Sequence, residues 1–335
     1  MTDDCLIEHQ LLAGWAHLPR HPLQRNRMHD TDAELVSLGN GTLLAITVDQ
    51  VVEEIRTGLY REPETIGRIG VLSALADLAA VGADPLGVLI AATLPSQQAT
   101  EIQAGLARGI ADACLSAQTF VLGGDTNIGS HVSLAVTAVG TVREGHALTR
   151  CGAKPADEIW ASGRLGDGAA LGAVRLLGLP AALMSENDYR PRSHFALART
   201  LRGIARTCMD TSDGLLATLD EISRRSGVRV SLDVEPTALL TDRAARVQQA
   251  LSVPALAFLG AIHGEFELVF ALDATARSRL PPDTLQRCMR LGVVRDGSGV
   301  DVLGRVVDTM AIRNLGAQQP LDARKYLASL VDLCR

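Results

Sequence analysis

Val121-Leu122-Gly123-Gly124-Asp125-Thr126-Asn127, near the middle of the 335-residue chain, decides how the rest is read. Gln118 to Leu122 reads as the end of a short apolar strand and Val132 to Val139 alternates as another, so Gly-Gly-Asp-Thr is expected in a tight turn. Two glycines let backbone approach an anion closely, Asp125 offers a hard oxygen ligand, and Thr126 adds a hydroxyl. A phosphate with a divalent metal is the natural guest. Gly-Asp pairs are also ordinary turn chemistry, so the weight of the reading comes from elsewhere in the chain.

Working towards the N-terminus, Thr100 to Leu115 is predicted helical and Leu86 to Leu94 a strand. Thr65 to Val81 is predicted as a helix capped by Thr65 and stopped by Gly82, with Asp77 among Leu75, Leu78, Ala79 and Ala80. A carboxylate there is costly unless it has a partner or a metal, or unless the helix turns it to water. Thr42 to Val48 pairs in a hairpin with the segment before Asn40-Gly41, and Asp49 ends the second strand. Leu6 to Leu18 is expected to form a first helix ended by Pro19 and Pro22.

Towards the C-terminus, Gly145 to Asp157 reads as linker, which divides the chain into an N-terminal domain, 1–145, and a C-terminal domain, 146–335. Gly163 to Gly168 opens a helix through Leu177, either as an anion site or as a close strand-to-helix connection. Cys208 to Leu216 brings Asp210, at a strand end, and Asp213, at a helix start, to one pocket, although Ser212 or Asp213 could simply cap the helix. Gly264 to Phe270 places Glu265 and Glu267 at the head of an apolar strand. Strands and helices alternate, so the fold class is α/β with mixed sheets.

Composition narrows the partners. With 47% hydrophobic and 21% charged residues the chain is globular, and 3% aromatics with a net charge of -6 argue against a nucleic-acid surface. No apolar run is long enough to span a membrane, and residues 1–20 lack the pattern of a signal peptide. Six scattered cysteines, Cys5 included, read as free thiols, and the expected location is cytoplasmic. Five or six aspartates at strand and turn edges repel one another unless cations join them, and magnesium with a nucleotide triphosphate meets that need. Neither a Walker loop nor the protein-kinase motifs occur.

Taken in order, Asp32, Thr47-Val48-Asp49, the run Leu75 to Pro85, Gly123 to Thr126, Ala147 to Pro155 and Asp210 to Leu215 resemble the thiamine-monophosphate kinase family over nearly the whole chain. Its superfamily includes aminoimidazole ribonucleotide synthetase, selenophosphate synthetase and a hydrogenase maturation protein, all using ATP and magnesium. The resemblance implies a two-domain fold of the aminoimidazole ribonucleotide synthetase kind. It implies a homodimer formed through the N-terminal sheet, with ATP and metals across the subunit interface. By position, Asp32, Asp49, Asp77, Asp125, Asp210 and Asp213 would hold magnesium, with Asp125 and Asp213 central to catalysis. Gly123, Gly124, Thr126, Arg150 and Ser212 would line the nucleotide phosphates, with Thr47 nearby.

The chain departs from that family at Thr31, where an aspartate is usual, at Ala74, where asparagine is usual, and at Arg56, where histidine is usual. Asn127-Ile128 and Ile262 to Leu268 also depart, and the family's terminal aromatic patch has no clear counterpart near Lys325-Tyr326. The expected reaction is transfer of the ATP γ-phosphoryl group to a small phosphate acceptor, namely thiamine phosphate. The alternatives are a different acceptor, such as an amide or carbonyl oxygen, and a nucleotide-binding protein without catalysis.

Overall fold

The structure is a computed structural model that describes residues 6–318 and 322–335; Cys5 lies outside them, and the five described cysteines are free thiols. The first helix, α1 (Ile7–Ala13), is shorter than the apolar pattern predicts and stops well before Pro19. The expected hairpin follows as β1 (Glu34–Gly39) and β2 (Thr42–Gln50), antiparallel. Its turn residues Asn40 and Gly41 both have positive φ, 47° and 75°, the conformation in which an Asn-Gly pair costs least.

A short α2 (Val52–Thr57) ends at Gly58 and leads into α3 (Pro63–Ala80). Pro63 rather than Thr65 begins this helix, and Thr65 lies inside its first turns with no capping role. Almost every residue of α3 is buried, because one side packs on β2 and β5 (Ser133–Arg143) and another meets the C-terminal half of the chain. Its apolar pattern therefore runs all round. Between them lie β3 (Asp84–Pro95), α4 (Ala99–Ser116) and β4 (Val121–Gly129). A Cβ on Gly109 of α4 would stand 1.9 Å from the Glu64 carbonyl oxygen, so glycine is what permits α3 and α4 to cross so closely.

The N-terminal sheet has the order β1-β2-β5-β3-β4, with only β3 and β4 parallel. Here the sequence reading needs correction: Gly123-Gly124-Asp125-Thr126 is not a tight turn but the body of β4, the exposed edge strand. Parallel pairing with β3 extends it, and a Cβ on Gly124 would fall 2.0 Å from the Ile90 carbonyl oxygen.

No helix or strand forms in residues 144–157. Beyond them come β6 (Glu158–Ala161), α5 (Asp167–Leu177), α6 (Phe195–Leu201), β7 (Thr207–Asp210), α7 (Leu215–Ser226), β8 (Arg229–Leu232), β9 (Leu268–Leu272), β10 (Met289–Arg295), β11 (Gly299–Val302) and β12 (Arg305–Val307). The seven strands form a second mixed sheet, β12-β11-β8-β10-β6-β9-β7, in which only β8 and β11 are parallel. The chain is thus the expected α/β protein with two mixed sheets, and α3 touches both.

Candidate active site

Where α3 meets the second sheet, three aspartates converge. Asp32 comes from the loop before β1, Asp77 from the last turn of α3, and Asp210 from the end of β7. One carboxylate oxygen of each lies within 4.8 Å of the other two. The set therefore joins both halves of the chain. Arg150, from the segment linking the halves, donates through Nε and Nη2 to Asp32 Oδ1 at 3.2 and 3.0 Å. Thr47 Oγ1 donates to Asp77 Oδ2 at 2.6 Å, and Ser212 Oγ to Asp210 Oδ1 at 3.0 Å.

Two oxygens in this set, Asp32 Oδ2 and Asp210 Oδ2, are buried and have no hydrogen-bond partner among the described residues. Burial pushes the Asp77 carboxyl well above its ordinary range, and the neighbouring Asp49, Asp210 and Asp32 charges push it further. Asp210 rises for the same reasons, burial first and Asp32 next. For Asp32, burial outweighs the opposing Arg150 guanidinium. Partnerless hard oxygens on mutually repelling carboxylates fit a divalent cation such as magnesium, whose charge removes both costs. Asp77, half-buried, thus faces Thr47 and the acidic cluster rather than a solvent-facing stripe of α3.

Asp49 and Asp213 extend the acidic zone. Burial and the Asp213 charge raise Asp49 to about 6, and crowding by neighbouring atoms raises Asp213 although its side chain reaches solvent. Neither Ser212 nor Asp213 caps α7, since Gly214 occupies the cap position without a side-chain bond. The bland explanation of this aspartate pair is thereby removed.

Asp125 stands apart. The register Gln50, Ala135, Ala91, Asp125 puts it in a row on the outer face of the N-terminal sheet, whereas Asp49 is in the adjoining row with Val136 on the face covered by α3. A strand's alternation thus keeps Asp125 away from the other aspartates of its own chain. Gly123, Gly124 and Thr126 share that exposed strand.

A cleft of about 910 Å³ opens beside Asp213, and its lining includes Arg56, Arg61, Arg175, His263 and Tyr326. Burial pushes the His263 imidazole down to about 4, so it is neutral near pH 7. Tyr326, which no family pattern marked, supplies an aromatic wall and accepts from Ile262 N at 3.2 Å. The glycine-rich start of α5 is no open anion site: the Glu265 carboxylate accepts from Asp167 N and Gly168 N, each at 3.0 Å. Thr31 donates to the Ala33 carbonyl at 2.8 Å, and Asp30 accepts from Arg27 N at 3.1 Å, so Asp30 does not replace the missing carboxylate in the cluster.

Residues 30–142 match the family model described as AIR synthase related protein, N-terminal domain. A thiamine-monophosphate kinase of Escherichia coli K12 is 32% identical over 228 residues, covering 66% of this chain and 70% of the relative. The chain belongs to the thiamine-monophosphate kinase family. The family member from Haemophilus influenzae is 35% identical over 213 residues, a match that spans 62% of this chain and 64% of the relative. Among solved structures, AaThiL complexed with AMPPCP and TMP superposes with a TM-score of 0.73 at 22% identity, covering 90% of this chain and 94% of its own, which shows a shared fold.

Within this thiamine-monophosphate kinase family member, Asp32, Asp77 and Asp210 are gathered, Thr47, Arg150 and Ser212 are bonded to them, and Asp49 and Asp213 adjoin. Arg150 pairs with Asp32 through Nε and Nη2. Arg61, Arg175 and Glu186 escaped the sequence reading: no local pattern signals the Arg61–Glu186 contact across 125 residues, and the Arg175–Glu186 pair, 11 residues apart, lies in no recognisable motif.

Proposed function

We propose that the protein transfers the ATP γ-phosphoryl group to the phosphate of thiamine monophosphate, giving thiamine diphosphate and ADP, with magnesium. The observation that carries this reading is the aspartate trio with two buried, partnerless oxygens, set in a chain of this family. Support for the nucleotide and the acceptor comes from AaThiL, complexed with AMPPCP and TMP. Asp32, Asp77 and Asp210 would hold magnesium, with Asp49 and Asp213 as further ligands; the ion would supply charge neutralisation for the phosphates. Thr47 and Ser212 fix carboxylate orientation, and Arg150 holds Asp32 while countering part of its charge. The residues position and neutralise; none needs to form a covalent bond.

Asp125, Gly123, Gly124 and Thr126 fit this reading as a contribution from a second copy. The outer sheet face that carries Asp125 and Gly123 also exposes Val48 and Leu89 in one cross-strand row with Thr137, and Phe120 just ahead of β4 is 71% exposed. Such a face is expected to be covered in a homodimer. We place the domain boundary at 145/146, in the stretch without regular structure. No described helix is long and apolar enough to cross a membrane, in keeping with a cytoplasmic enzyme.

Incubation with ATP, magnesium and thiamine monophosphate should yield ADP and thiamine diphosphate in equal amounts, and no ADP without acceptor. Tight ATP binding with no thiamine-phosphate-dependent ADP would turn the reading to a different small acceptor.

A further inference from the structure

Glu186 lies in a single 3-10 turn, Glu186–Asp188, between α5 and α6, and is 4% exposed. A carboxylate so buried is costly unless its oxygens are used. Both are used, and by both halves of the chain. Oε1 accepts from Arg61 N at 3.0 Å, and Oε2 from Glu62 N at 3.0 Å, holding the backbone just ahead of α3. Oε1 also takes the Arg175 Nη2 of α5 in an ion pair. One side chain thereby ties the approach to α3, 125 residues away, to a guanidinium of the C-terminal half.

Arg61 and Arg175 both line the cleft that contains Asp213. Arg175 Nε is buried without a hydrogen-bond partner among the described residues, and the Arg61 side chain donates from Nε to the Gly58 carbonyl at 3.2 Å. Two arginines brought to one cleft by one carboxylate, with donor capacity left over, suit a phosphate oxygen set. We propose that Glu186 is a positioning residue for acceptor binding, holding Arg61 and Arg175 as an anion-binding wall for the acceptor's phosphate. This rests on the acceptor reading given above. Glu186 itself touches no substrate; it acts through the two arginines and through the placement of α3.

The test compares wild type, Glu186→Gln, Arg175→Gln and the double variant, each with magnesium and saturating AMPPCP for binding, or ATP for turnover. Inorganic phosphate is titrated calorimetrically, and KM is measured separately for thiamine monophosphate and for ATP. Glu186→Gln should raise the phosphate Kd and the acceptor KM about tenfold, with the ATP KM changed by less than about twofold. The double variant should lose no more than the worse single, because both changes remove one contact. Should Glu186→Gln not fold, Arg175→Gln alone carries the same split. An ATP KM that rises as far as the acceptor KM, or a phosphate Kd that does not move, overturns the proposal. Phosphate binding that weakens in the variants while wild type makes no thiamine diphosphate upholds the anion wall and removes only the choice of acceptor.

Discussion

Thr47 shows how much one hydroxyl can matter at this site. Its 2.6 Å bond orients Asp77, whose burial otherwise favours the protonated form that cannot bind a cation. Thr47→Val keeps the shape and removes the donor. The apparent magnesium affinity should fall about tenfold, as is usual when a group that orients a metal ligand is lost, with the circular dichroism spectrum unchanged. A magnesium titration of ADP formation checks this. At the residue scale, the aspartates at strand and turn edges are legible in the sequence as a set that repels itself without cations, and the structure brings Asp32, Asp77 and Asp210 of that set together. The resemblance implies a phosphate contact for Arg150, whereas its pairing with Asp32, which spans 118 residues, has no local signal in the sequence.

At the scale of elements, boundaries set by local chemistry were legible. Asn40-Gly41 made the hairpin, and Gly227, a glycine with φ of 65°, ends α7 in the left-handed conformation. What was not legible depends on distant partners. The glycines of β4 look like a turn until β3, some thirty residues earlier, pairs with them in parallel. Asp77 looks solvated until α3 is seen enclosed by both halves. Helix α7 carries a further non-local device: Glu221 accepts from Arg225 at 2.8 Å and from Arg313 at 3.0 Å, the latter on the helix Thr309–Gln318. Burial alone would raise the Glu221 pKa, but the Arg225 and Arg313 guanidiniums prevail and hold it at about 2, below its unfolded value. This contribution to stability is full above about pH 4.5 and is lost as pH falls through about 2, on the order of 2 kcal/mol. Denaturant melts of wild type should weaken over that window more steeply than those of Glu221→Gln, which should already be less stable at pH 7.

For the whole molecule, one chain completes the trio but leaves Asp125 on the outer sheet face among exposed apolar residues. Under the dimer reading, Leu89→Glu should yield a folded monomer by sedimentation equilibrium and lower turnover at least tenfold, because like charges would then meet across the shared face. Wild type that sediments as a monomer at full activity would dispose of that reading.

The measurement that bears most directly on the site is the magnesium dependence of acceptor-stimulated ADP release in wild type and Asp210→Asn. The trio as cation site predicts saturable magnesium activation in wild type. In Asp210→Asn it predicts turnover lower by about a hundredfold or more, or a magnesium requirement shifted upward by a similar factor, with the melting temperature preserved or raised as a repelling buried charge is removed. Equal turnover and equal magnesium dependence in the two proteins would contradict it.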